Sequence, residues 1–131
     1  MDRIDLHIEV MPVEYSALAD AKKEESSAAI RERVNKARAI AHKRYAASGA
    51  YCNAQMPDGA VQALCVLRED AKRILARSFE KLGLSARAHN RILKVARTVA
   101  DLEECEVIEA RHIMEAIAYR SLDRKYWQSG R

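Results

Sequence analysis

At 131 residues the chain can form one domain of ordinary size, and 49% apolar content allows it a core. A formal charge of +4, from 23 basic and 19 acidic residues, falls far short of a histone-like tail. It is compatible with an anionic partner and equally with ordinary solubility. No apolar run approaches the roughly 20 residues that a membrane span needs. The opening Met-Asp-Arg-Ile-Asp lacks the features of a signal peptide.

Aromatic residues make up 5% of the chain, alanine is plentiful, and only four glycines and two prolines interrupt it. That mix favours helix over sheet, because alanine and unbranched side chains lose least on entering a helix. Cys52, Cys65 and Cys105 are odd in number and widely spaced, with no CxxC unit. They read as small buried or half-buried thiols of a reducing, cytoplasmic protein.

The first element is Ile4 to Val10, where Ile4, Leu6, Ile8 and Val10 alternate with polar residues. Alternation with a period of two predicts a half-buried strand, which Pro12 ends. One strand cannot stand alone, so its sheet partners are expected outside this sequence and the start is expected to be a truncation. A polar stretch from Glu14 to Glu25 follows. Ser26 or Ser27 then caps a long helix to about Ser48, with Gly49 as its stop. Its apolar stripe is Ile30, Val34, Ala37, Ala41 and Tyr45, and its other faces carry Arg31, Arg33, Lys36, Arg38, Lys43 and Arg44.

Residues 50–56 form a connector, and Pro57 suits the first turn of a short helix to about Val66. A further helix spans about Arg68 to Leu82, with Ala71, Ile74, Leu75, Ser78, Phe79 and Leu82 inward and Gly83 closing it. Ser85 caps the next, which runs to about Glu103. The last spans Ile108 to about Leu122, with Ile113, Ala116, Ile117 and Tyr119 buried, before a charged tail from Asp123 to Arg131. The fold class is therefore mainly α, a helical bundle preceded by a long helix and one orphan N-terminal strand. The expected divisions are 1–25, the strand and connector; 26–56, the basic helix and its connector; 57–124, the bundle; and 125–131, the tail.

The helix beginning at Ser85 carries the most information. At about 100° per residue, Ala88, Ile92, Val95, Ala96, Val99 and Leu102 share one face. Arg87, Arg91 and Lys94 form a stripe on its flank, where stems pack and charged heads reach an adjoining cleft. Arg87 falls in the first turn, where a helix favours anions, so a cation there gains most beside a phosphate-like group. The plainer alternative is a solvated edge of a packed helix. His7, His42, His89 and His112 share no spacing with carboxylates or thiols, so no metal site is expected. No cysteine shows a paired base in the sequence. The basic helix has acids such as Glu32 interleaved and reads first as a solvated face, with DNA phosphates as the alternative partner.

Several blocks of this sequence resemble the C-terminal part of the magnesium-chelatase-like AAA+ ATPases, including the bacterial competence ATPases. They are Asp2 to Val10; Glu25-Ser26-Ser27 with Ile30 to Val34; Cys52 to Met56; Cys65-Val66-Leu67; Leu84 to Ala88 with Arg91 to Thr98; and His112-Ile113 with Glu115-Ala116-Ile117 and Tyr119 to Arg124. They run in order over nearly the whole chain. The resemblance implies an AAA+ lid, in which Arg3 matches an arginine finger that acts in trans on a neighbouring subunit's nucleotide. Arg87 matches the second-sensor arginine, with Arg91 and Lys94 in support. It also implies a parent that uses ATP and Mg, assembles as a homo-oligomeric ring, a hexamer, and works on DNA. Insertion of magnesium into a porphyrin is not expected. Met1 stands where the family usually has leucine, and Ala29 where relatives often carry an acid. The chain has no GxxxxGK[ST] phosphate loop and no paired acidic motif for Mg, so it is not expected to hydrolyse ATP or hold a cofactor by itself. The partners implied are the AAA+ core of the same chain and neighbouring subunits. The rival reading is an independent helical nucleic-acid-binding module.

Overall fold

A computed structural model describes residues 3–20 and 22–120. Six α-helices occur among them: α1 (Tyr15–Ala19), α2 (Ser27–Arg44), α3 (Val61–Leu64), α4 (Glu69–Leu82), α5 (Ala86–Leu102) and α6 (Ala110–Ala118). The fold is a mainly-α bundle, and no strand occurs among the described residues. No described helix is long and apolar enough to cross a membrane.

Helix α5 is the axis of the bundle. It packs against α6 on one side and α2 on another, while α4 rests on α6. Its start is set by Ser85, whose hydroxyl accepts the Ala88 amide at 3.1 Å. Ala88, Ile92, Leu93, Ala96, Val99 and Ala100 are buried along it. Alanines are prominent among the buried residues of both helices, with Ala37 and Ala41 on α2 and Ala96 and Ala100 on α5. Small side chains let two helix axes approach closely, which brings longer polar side chains at the same junction into reach of one another. Met56, Val61, Cys65, Ala71, Leu75, Ile108 and Ile113 complete the core around this junction.

The long helix begins as expected, with the Ser26 hydroxyl accepting the Ala29 amide at 3.2 Å. It stops at Arg44, four residues before the expected end. There Arg44 and Tyr45 turn into the interior, and the chain reverses through Ser48 to Gly49, whose φ is +74°. Only the second half of the apolar stripe is covered: Ala37, Ala41 and Tyr45 are buried, whereas Ile30 and Val34 are 42% and 39% exposed. The first half of α2 reaches beyond the bundle.

The expected strand at Ile4 to Val10 does not form. Ile4, Leu6, Ile8 and Val10 are all exposed, and the segment is held by the His7 amide donating to Tyr119 O at 2.7 Å and by Arg120 reaching Ile4 O at 3.4 Å. Alternation specifies a face, but a strand also needs a neighbour to complete its ladder, and the described residues offer none. The only extended pairing there is a parallel bridge, Leu67 to Ile108, which ties the entry to α4 to the entry to α6. The stretch expected as polar coil contains the exposed helix α1. Within 57–66 the short helix is split into a 3-10 turn, Asp58–Ala60, and α3.

Ile74, Ser78, Phe79 and Leu82, expected inward on α4, are half-buried. Leu102, expected on the buried face of α5, is exposed at 36% because the helix ends there. Cys52, expected buried or half-buried, is exposed. The last described helix starts at Ala110. The expected end of that helix at Leu122 and the tail from Asp123 to Arg131 lie outside the described residues.

Gly83 ends α4 with a left-handed φ of +59°, and its amide donates to Phe79 O. A side chain there would meet no atom within 4 Å, so its cost is conformational alone. Gly83→Ala is expected to destabilise the domain by about 1 kcal/mol, read as a lower urea midpoint at unchanged m-value. An unchanged midpoint would contradict this account of the turn.

Candidate functional site

Two sets of polar residues meet on α5, one on its outer flank and one inside. The flank is the stripe expected from the sequence. Arg87 lies in the first turn, is exposed, and makes no ion pair or hydrogen bond among the described residues. First-turn amides lack intrahelical acceptors and carry partial positive charge, so Arg87 stands with them as an unneutralised cationic patch. An apolar groove of about 480 Å³ borders the same turn, lined by Leu67, Leu75, Phe79, Ala86, His89 and Asn90 among others. Phe79 and His89 meet edge to face in it, with ring centres 5.8 Å apart.

Arg91 and Lys94 differ from Arg87 in being engaged. Arg91 Nη1 lies 3.2 Å from Asp5 Oδ1, and Lys94 Nζ lies 3.2 Å from Asp58 Oδ1. Their stems are largely covered, with side chains 21% and 19% exposed. Arg3 is exposed and unpaired among the described residues. The Arg91–Asp5 contact nevertheless draws the segment that carries Arg3 onto the flank of α5. The structure thus brings Arg91 to the N-terminal segment and leaves Arg87 and Arg3 facing outward.

The second set was not singled out from the sequence. Asp101, fully buried on α5, accepts four hydrogen bonds. Arg44 of α2 binds it through two nitrogens, at 2.8 and 2.6 Å. Arg97 Nε and Asn53 Nδ2 donate at 3.2 and 3.0 Å. Asn53 Oδ1 accepts from Arg44 at 2.9 Å and from the Tyr45 hydroxyl at 2.8 Å, and its amide also donates to Thr98. The remaining nitrogens of Arg97 donate to the carbonyls of Glu106 and Cys105 beyond the end of α5. The bond to Asp101 raises the Arg44 guanidinium above its usual range. Burial pushes the Tyr45 phenol up. The one signal in the sequence, the Arg97, Asp101 pair at i, i+4, falls opposite the apolar face of α5, where such pairs are ordinarily solvated.

Glu103, Cys105 and His112 place their ligand-type atoms within 4.8 Å of one another. Their bonding accounts for the arrangement without an ion. His112 Nδ1 accepts the Glu109 amide at 3.0 Å, which leaves the ring proton on Nε2, 2.8 Å from Glu103 Oε2. An ion at Nε2 would force that proton to Nδ1, against the Glu109 N–H. Arg111 also sits on Glu103 at 2.9 Å and reaches Cys105 Sγ at 3.5 Å. Glu109 and His112 cap α6, and the contact of His112 with Glu103 ties its entry to the end of α5.

The fold and the flank together define a small helical domain that turns a cation-bearing helix N-terminus outward. Comparison with known families identifies it. Residues 24–120 match the family described as "Magnesium chelatase, subunit ChlI C-terminal", and the chain belongs to that family. Over 125 residues, 95% of this chain, it is 40% identical to the protein YifB of Salmonella typhimurium and 38% identical to the competence protein ComM of Haemophilus influenzae. It is 35% identical to YifB of Escherichia coli over the same length. The chain spans 24% of the length of each of these relatives.

Removing the Asp101 carboxylate would leave two cations without their shared anion. Asp101→Ala is expected to cost about 3–5 kcal/mol in chemical unfolding. A double-mutant cycle with Arg44→Ala is expected to show coupling of at least about 1 kcal/mol. Additive losses would mean that the pair contributes no interaction of its own.

Cys65 is buried beside Met56, and burial pushes its thiol from 9.0 up to about 11. The folded state therefore holds the proton more tightly than the unfolded chain. Its contribution is complete below pH 9.0 and is lost as pH rises towards about 11. Over that interval stability is expected to fall by about 2–3 kcal/mol more in the wild type than in Cys65→Ala. Parallel pH profiles of the two proteins would exclude this role.

Proposed function

We propose that this chain is the helical lid of an AAA+ ATPase and that Arg87 senses nucleotide bound outside the lid. The observation that carries the reading is the position of Arg87: an unpaired guanidinium in the first turn of the helix around which the bundle is packed. Phosphate is the ligand such a turn favours, since the guanidinium and the first-turn amides can both donate to it. Movement of that phosphate would act on the whole of α5, and through Asp101 on α2, because buried ion pairs and packed alanines bind them together.

In this reading ATP and Mg are held by a core belonging to the same parent chain, and Arg87 faces a nucleotide in a neighbouring subunit of a homo-oligomeric ring, a hexamer. Arg3 serves as the arginine finger in trans. Arg91 and Lys94 would have to exchange Asp5 and Asp58 for phosphate to join it, so they act first as positioning residues. Work on DNA is supported by similarity to a relative named as a competence protein. The family match favours this reading over an independent nucleic-acid-binding module.

Arg87→Ala in the full-length parent is expected to cut ATP turnover by on the order of 10²-fold, the scale of losing one donor to a charge-developing phosphate. Stability of the variant is expected to stay within about 0.5 kcal/mol of the wild type, as for an exposed side chain. Wild-type turnover in an assembled ring of the variant would refute the role.

A further inference from the structure

The basic side chains of α2 fall into two groups. Arg33 is paired with Glu25, Lys36 with Glu32 at 3.7 Å, and Arg44 with Asp101. Lys43, on a separate face of the helix, is exposed and its side chain makes no ion pair or hydrogen bond among the described residues; the same holds for the side chains of Arg31, Arg38 and His42. With Asn35, also exposed, they recur at spacings of four, three and four residues. At about 100° per residue all four fall within a band about 60° wide, and Glu32 lies about 90° from its centre. The band contains no carboxylate from α2. It runs along the flank of the face that α2 presents to α5, and its upper part belongs to the half of the helix that extends beyond the bundle.

We infer that this stripe binds the phosphodiester backbone of DNA. Charge and neutral donors in a line are what a phosphate backbone takes; Arg and Asn both serve, and a His ring N–H can donate beside them. Arg31 and Arg38 are about 10.5 Å apart along the helix axis, close to the roughly 10 Å advance of three nucleotide steps on one strand. A protein partner fits less well. Interfaces between proteins are built around an apolar or aromatic centre, and the stripe has none. The half-exposed Ile30 and Val34 sit on the adjoining face, continuous with the buried Ala37 and Ala41.

The inference rests on the proposed work on DNA for its choice of polymer. ATP turnover plays no part in its readout, so either reading can fail without the other. The experiment is fluorescence anisotropy of this chain with a labelled single-stranded DNA, its duplex, the matching RNA and an acidic peptide, over about 50 to 200 mM salt. Circular dichroism would confirm that each variant is folded.

Binding to DNA is expected in the non-specific range of about 10⁻⁴ to 10⁻⁶ M, weakening with salt. Arg31→Ala and Arg38→Ala are each expected to lower the slope of log K against log salt by about 0.9 on duplex or about 0.7 on single strands. Arg33→Ala, whose cation is already neutralised, is expected to leave the slope unchanged. Three results would overturn the inference: no DNA binding at the lowest salt, equal losses in all three variants, or binding confined to the RNA or the peptide.

Discussion

The domain depends on one buried carboxylate. Asp101 draws Arg44 from α2, Arg97 from its own helix and Asn53 from the intervening turn into a single hydrogen-bonded set. Taking these charges out of water is costly, and an apolar junction could match it for stability. The ionic junction adds direction. A bidentate guanidinium fixes the angle and register of α2 on α5, where packed alanines alone would allow sliding. The carbonyls of Cys105 and Glu106, held by Arg97, extend the same constraint to the loop that starts α6.

The outward features follow from that brace. Because Arg44 and Tyr45 end α2 inside the domain, the opposite end of the helix reaches beyond the bundle with its Arg31 and Arg38 face uncovered. Because α5 is held along its length by α2 and α6, its first turn is a fixed platform for Arg87. Arg91 and Lys94 lie on the same flank, but Asp5 and Asp58 already engage them. One stripe of three cations is thus divided by its neighbours into a free group and two tethers.

The apolar segment at the start of the described chain follows the same logic in reverse. Ile4, Leu6, Ile8 and Val10 alternate as a strand would, yet remain exposed. Two hydrogen bonds to the end of α6 hold the segment against the bundle without completing a ladder.

Local order in this protein was determined by the sequence itself. Helix starts at Ser26 and Ser85, the stop at Gly83 and the apolar face of α5 are consequences of short-range sterics and hydrogen bonding, which act within a few residues. The flank position of Arg87, Arg91 and Lys94 follows from helical geometry alone. What only the tertiary structure decided was the fate of groups whose partners are distant in the chain. Asp101 and Arg44 lie 57 residues apart, and neither shows in sequence that it will be buried and paired. Whether Arg87 stays free while Arg91 is tied to Asp5, and whether an alternating segment becomes a strand, depends on which neighbours folding brings within reach. Periodicity records the face a residue occupies; only packing supplies what that face meets.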